Sequence, residues 1–122
     1  MKRLVLFVDD DVDVRDAYCD LLELNGWEVV TAGDGFEALA WLAANPAPNA
    51  ILLDLKMPRC DGYQFRAAQL DEPRYRDIPT LVFTGDVKVE GSRLPSLGGA
   101  PVVHKSADFE KLLKLLDQIA KV

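Results

Sequence analysis

The chain has 122 residues, of which 49% are hydrophobic and 28% charged, and its net charge is −6. This length and balance are typical of one globular domain with a single core, and they exclude a disordered chain. The negative charge argues against direct binding of nucleic acid or an anionic membrane, and no apolar stretch is long enough for membrane insertion. Because the chain start also lacks a signal-peptide pattern, we expect a cytoplasmic protein.

Apolar patterns along the chain predict alternating strands and helices. Short apolar runs predict buried strands, and apolar residues at helical spacing predict helices. In chain order, the predicted elements are strand 3–8, helix 12–24, strand 27–31, a helix marked by Phe36, Leu39 and Leu42, strand 50–54, helix 62–70, strand 80–84, strand 102–104 and helix 108–121.

The alternation of strands and helices predicts an α/β fold. Short joins between the elements favour a doubly wound, five-stranded parallel sheet with helices on both faces and right-handed crossovers. Strands 50–54 and 80–84 are almost wholly apolar, which is typical of strands buried inside a sheet, whereas the mixed strand 27–31 is typical of an edge. No linker or repeat interrupts the chain, so we expect one domain over residues 1–122.

Acidic residues follow two of the predicted strands. The first strand runs into Asp9, Asp10 and Asp11, and the third ends at Asp54. Because parallel strands end at the same edge of a sheet, these carboxylates should lie close together and repel one another unless a cation joins them. Mg²⁺ prefers such oxygen ligands. We favour a metal site over the alternative that the first three acids only cap the next helix.

Two further polar residues are expected at the same edge of the sheet. Thr84 ends the fourth strand and Lys105 follows the fifth. A lysine can pair with a carboxylate and then with a phosphoryl oxygen, to which a threonine hydroxyl can also donate. A carboxylate beside a divalent cation, a lysine and a threonine has the groups that a phosphoryl acceptor needs.

Four segments of the sequence resemble receiver domains of two-component response regulators, and the resemblance covers essentially the whole chain. The most specific is Asp-x-x-Met-Pro-x-x-Asp-Gly, which begins at Asp54. The matching segments are residues 6–11, residues 53–58 with 61–62, residues 83–85 and residues 103–105. The resemblance implies a flavodoxin-like strand order, 2-1-3-4-5, which the sequence patterns alone do not determine.

The resemblance also implies roles for the acidic residues. Asp54 would be the phosphoacceptor, and Asp9 and Asp10 would form the acidic pocket beside it. Asp10 and Asp54 would bind Mg²⁺, with the backbone carbonyl of Lys56 as a further ligand. The implied metal site therefore comprises Asp9, Asp10, Asp54 and the Lys56 carbonyl.

The remaining roles implied by the resemblance concern signalling. Thr84 would be the switch hydroxyl and Lys105 the phosphoryl-binding lysine. The phosphodonor would be the phosphohistidine of a histidine kinase or a phosphotransfer protein. A conformational change would then act on a downstream protein or a fused output domain. Apart from self-phosphorylation from small phosphodonors and autodephosphorylation, no enzymatic activity is expected.

Three features depart from the family pattern, all on the side that usually transmits the signal. Ser106 replaces a proline that often follows a cis peptide bond, and Val102 replaces an aromatic residue. Pro95 should break or shorten the helix between the last two strands, because proline removes a backbone donor and clashes with the preceding turn.

These departures leave two other functions open. An atypical receiver could act as an interaction module without phosphorylation. A phosphohydrolase that uses an aspartyl-phosphate is less favoured, because that chemistry generally needs an acid two residues after the nucleophile, where this chain has Lys56. Lys56 and Asp86 should flank the mouth of the site. There they either form an exposed ion pair that slows hydrolysis of the acyl-phosphate by obstructing or orienting the water, or point into solvent without effect.

Overall fold

Strands and helices alternate along the chain in the computed structural model, which describes residues 3–85 and 94–120. Most predicted bounds are confirmed to within two residues. In chain order, the elements are β1 Arg3–Val8, α1 Val12–Leu24, β2 Trp27–Ala32, α2 Gly35–Ala44, β3 Ala50–Leu53, α3 Gly62–Asp71, β4 Thr80–Thr84, a 3-10 helix Leu94–Leu97, β5 Val102–His104 and α4 Phe109–Ile119.

All five strands form one parallel sheet in the order β2-β1-β3-β4-β5, which confirms the fold class and the strand order. β3 lies at the centre, and every residue of β3 and β4 is buried. β2 is an edge strand, as its mixed composition predicts. It extends one residue beyond the predicted end, because the Ala32 carbonyl accepts a hydrogen bond from the Asp9 amide at 3.0 Å.

The core has two halves, one on each face of the sheet. Successive residues of a strand point to opposite faces, so an unbroken apolar strand supplies both halves. On one face, β1 and β4 pack against α1 and α4 through Phe7, Phe83, Leu22, Leu112 and Leu116. On the other face, β1 and β3 pack against α2 and α3 through Leu6, Ile51, Ala38, Leu42 and Phe65.

The described part of the β4–β5 connection, residue 85 and residues 94–101, contains a 3-10 helix and no α-helix. Pro95 lies within this short helix, which agrees with the expected effect of a proline there. Gly98 and Gly99 follow it with φ angles of 63° and 82°, a left-handed conformation that glycine adopts readily. The buried Arg66 of α3 holds the segment, since its Nε donates to the Leu97 carbonyl at 2.9 Å.

No helix within residues 3–85 and 94–120 combines the length and the apolar character that are needed to cross a membrane.

The start of α4 offers a direct test of local stability. The Asp108 side chain caps the helix by accepting a hydrogen bond from the Lys111 amide at 3.0 Å. We expect Asp108→Ala to lower the free energy of unfolding by about 1 kcal/mol, because this amide loses its partner. Glu110→Ala, an exposed change in the same turn, should cost only a few tenths of that. Urea unfolding measures both, and equal losses would contradict the capping role.

Candidate functional site

Two buried carboxylates lie at the carboxyl edge of the sheet, each one residue beyond the end of its strand. Asp9 follows β1 and Asp54 follows β3, and their side chains are almost fully buried. The Asp54 amide donates to the Val8 carbonyl at 2.9 Å, so the backbone ladder holds this residue beside β1. β3 ends one residue earlier than predicted, at Leu53, but the hydrogen bond to β1 still fixes the position of Asp54.

Asp10 completes an acidic cluster with these two residues. Carboxylate oxygens of Asp9, Asp10 and Asp54 all lie within 4.8 Å of one another. Asp11 behaves differently, since it is the N-cap of α1 and accepts hydrogen bonds from two amides of the first helical turn. The capping alternative therefore applies to Asp11, while Asp9 and Asp10 turn towards Asp54.

The ammonium group of Lys105 lies between the two buried carboxylates. Its Nζ is 2.7 Å from Oδ2 of Asp9 and 3.4 Å from Oδ2 of Asp54. The position of Lys105 is fixed by the sheet, because its amide donates to the Thr84 carbonyl at 2.8 Å, directly after β5. A single ammonium cannot neutralise three carboxylates, so the cluster attracts further cations.

The environment shifts the proton affinities of the paired groups. Burial, followed by the charge of Asp9, raises the pKa of Asp54 to about 6, although Lys105 and the Leu55 amide act in the opposite direction. Burial lowers the pKa of Lys105, but its hydrogen bond to Asp9 and the charge of Asp54 outweigh burial and raise it overall. Lys105 is therefore a permanent cation in this site.

The residues present fit a divalent cation. Apart from its ion pair with Lys105, Oδ2 of the buried Asp9 has no hydrogen-bond partner within the described residues. The cluster offers only carboxylate oxygens, which hard cations such as Mg²⁺ prefer to nitrogen or sulfur ligands. The acidic cluster is thus suited to a divalent metal site.

The structure also describes other residues singled out from the sequence. Thr84 is buried at the end of β4, and the side chain of Lys56 is exposed two residues beyond Asp54. Asp86 lies outside the described residues, so the predicted pair with Lys56 stays a prediction. Val102 is half-buried against a small apolar cluster with Leu97, and no cis peptide bond occurs among the described residues.

One contact beside the site was not predicted from the sequence. The exposed Arg59, in the loop after Asp54, forms an ion pair with the buried Asp34 at the start of α2. Sequence patterning indicated only a turn at Asp34-Gly35. The sequence shows that Arg59 is a charged residue within the Met-Pro-x-x-Asp-Gly segment, but it does not indicate which acidic residue would pair with it.

Comparisons with known proteins place this chain and its fold in a family. The family model described as "Response regulator receiver domain" matches residues 5–117. The chain is 31% identical to the chemotaxis protein CheY4 of Vibrio cholerae, whose structure gives a TM-score of 0.87 over 98% of this chain and 99% of that chain. It is 25% identical to response regulator TrrA of Thermotoga maritima, solved in complex with Mg²⁺-BeF, with a TM-score of 0.85 over 96% of this chain and 98% of TrrA.

Among curated proteins, the chain is 45% identical over 84 residues to response regulator MprA of Mycobacterium sp. (strain KMS), a match that covers 69% of this chain. The chain spans 35% of the length of MprA, and between 16% and 58% of the length of other curated relatives.

The chain therefore belongs to the family of response regulator receiver domains, and it is a receiver domain of two-component signalling. Such domains are generally signalling modules rather than enzymes.

Proposed function

We propose that this receiver, formed by residues 1–122, accepts a phosphoryl group on Asp54 and signals by a change of conformation. The observation that carries the proposal is the buried Asp54 carboxylate within one cluster with Asp9, Asp10 and Lys105. A carboxylate oxygen is a competent nucleophile towards phosphorus, because its attack gives an acyl-phosphate. When the donor is a phosphohistidine, the bond between phosphorus and the imidazole nitrogen breaks as the bond between phosphorus and an Asp54 oxygen forms, and the donor histidine is released.

The acidic cluster would hold Mg²⁺ through Asp10 and Asp54, with the Lys56 carbonyl as a further ligand and Asp9 close by. When bound, the metal supplies charge neutralisation for the incoming phosphoryl oxygens. Asp9 keeps Lys105 in place, because the two groups form an ion pair at 2.7 Å. The complex of TrrA with Mg²⁺-BeF is consistent with the same chemistry in this chain.

Lys105 and Thr84 would then act on the transferred group. The Lys105 ammonium is already 3.4 Å from Asp54, so it needs little movement to contact a phosphoryl oxygen there. The Thr84 hydroxyl would donate to another oxygen and so couple phosphorylation to β4. The donor would be a histidine kinase or a phosphotransfer protein, and the signal would reach a downstream protein or a fused output domain.

Incubation with acetyl phosphate and Mg²⁺ tests this function directly. Intact mass spectrometry should show uptake of one phosphoryl group by the protein. If no uptake occurs with acetyl phosphate or with a phosphorylated histidine donor, the chain acts instead as a phosphorylation-independent interaction module. Multiple turnover on a phosphate ester would identify the less favoured phosphohydrolase.

The lifetime of the phosphoryl group should depend on Lys56. If its exposed side chain pairs with Asp86 across the mouth of the site, the pair would obstruct the hydrolytic water. We then expect Lys56→Ala to accelerate loss of the acyl-phosphate about threefold, the size that an exposed ion pair allows. Lys111→Ala, an exposed lysine of α4, serves as the control. Unchanged decay of the acyl-phosphate in Lys56→Ala, or additive effects of Lys56→Ala and Asp86→Ala on its decay, would contradict this role of the ion pair.

A further inference from the structure

A buried carboxylate from a different part of the chain holds the loop that follows Asp54. Asp34 precedes α2 and is 2% exposed. Its Oδ1 accepts a hydrogen bond from the Glu37 amide at 2.9 Å, and its Oδ2 accepts one from Nη2 of Arg59. Although burial alone raises the pKa of Asp34, these hydrogen bonds outweigh it and hold the pKa below its usual range. Asp34 is therefore a charged partner for Arg59 at neutral pH.

The backbone of Arg59 indicates that its side chain has a specific role. Its φ angle is 64°, and it is the one non-glycine residue with a positive φ among the described residues. Side chains disfavour this left-handed conformation, which glycine adopts readily. Residues outside the favoured regions persist where the surroundings hold them. Here the guanidinium contributes the ion pair with Asp34, which a glycine could not form.

Backbone hydrogen bonds also join the loop of residues 55–61 to α2 and to the start of α3. The Gly35 amide of α2 donates to the Cys60 carbonyl at 2.9 Å, and a Cβ on Gly35 would lie 2.4 Å from the Cys60 sulfur. At the other end, the Gly62 amide donates to the Leu55 carbonyl at 3.0 Å. These contacts leave little room for the loop to shift without moving either α2 or the backbone next to Asp54.

We propose that Arg59 is a positioning residue, whose ion pair with Asp34 holds the loop in the conformation that the metal site requires. This inference rests on the proposed function, in which the Lys56 carbonyl within the same loop is a metal ligand. Arg59 does not contact the cluster itself and acts through the backbone of the loop. Groups that orient the ligands of a metal affect its affinity without touching it.

The test is Mg²⁺ affinity, measured by titrating the amide NMR spectrum of the metal-free protein. Arg59→Gly removes the ion pair while keeping the backbone conformation accessible, so we expect the dissociation constant to rise about tenfold. Arg59→Lys, which can still reach Asp34, should recover part of the affinity. Arg74→Ala is a matched control, because Arg74 is a similarly exposed arginine that pairs with Glu72 outside this loop.

The apo melting temperature separates positioning from a purely structural role. Arg59→Gly should lower this temperature only modestly, because Asp34 keeps its hydrogen bond from the Glu37 amide and because glycine relieves the strain of the left-handed backbone. Wild-type Mg²⁺ affinity in Arg59→Gly, or additive effects of Arg59→Gly and Asp34→Asn on that affinity, would overturn this inference and leave the proposed metal site intact. Absence of Mg²⁺ binding by the wild type, or full binding by Asp54→Asn, would overturn the proposed metal site and this inference with it.

Discussion

Asp54→Asn is expected to abolish phosphoryl uptake from acetyl phosphate, because an amide oxygen is a far weaker nucleophile than a carboxylate. Asp54 lies 3.4 Å from the Lys105 ammonium and directly precedes the loop that carries Lys56. Intact mass after incubation with Mg²⁺ measures the effect. Addition of a chelator should reduce uptake by the wild type to the same low level.

Asp11→Asn is the matched control for this loss. Asp11 belongs to the same acidic run, but its side chain caps α1, a role that asparagine also performs well. Uptake by Asp11→Asn should therefore equal that of the wild type. Label that persists in Asp54→Asn, or that forms equally well without metal, would show that another residue accepts the phosphoryl group.

The metal-free protein is expected to lose the stability associated with Asp54 as the pH rises from about 4 to about 6. The pKa of Asp54 is about 6 in the folded state, against about 3.9 in an unfolded chain. Between these values the folded state binds the extra proton, so protonation stabilises the fold and deprotonation costs stability. A difference of about two pKa units corresponds to roughly 3 kcal/mol at most.

The comparison of wild type with Asp54→Asn isolates this contribution from the other carboxylates. The stability of the variant relative to the wild type should increase between pH 4 and pH 7, as followed by urea unfolding. Mg²⁺ at pH 7 should stabilise the wild type more than the variant, because only the wild type presents the full cluster. A difference between the two proteins that is the same at both pH values, and a wild-type melting temperature insensitive to Mg²⁺, would contradict this account.

The strands and helices could be predicted from the sequence because each depends on local patterns. The spacing of apolar residues marks a helix, and capping residues such as Asp61 and Asp108 fix where it begins, since each side chain accepts a hydrogen bond from an amide of the first turn. Strand order could not be derived in this way, since apolar strands carry no signal for which neighbour they pair with. It followed instead from the resemblance to receiver domains.

Contacts between distant segments account for what could not be predicted. The ion pair of Asp34 with Arg59 joins residues 25 positions apart, and no periodicity relates them. The bond from Arg66 to the Leu97 carbonyl spans 31 positions. Cys19 is partly buried against the core, and Cys60 is buried beside Gly35. Such packing depends on the tertiary arrangement.

Lys105 supplies this site with a tethered counter-ion. The ammonium shares its charge between two buried carboxylates, and the chain itself holds it there. Buried charges are also screened far less by electrolyte than exposed ones. The attraction of Lys105 for Asp9 and Asp54 should therefore depend only weakly on ionic strength. A divalent cation that bound this cluster would have to compete with a lysine that cannot diffuse away, which would raise the metal concentration needed to fill the site.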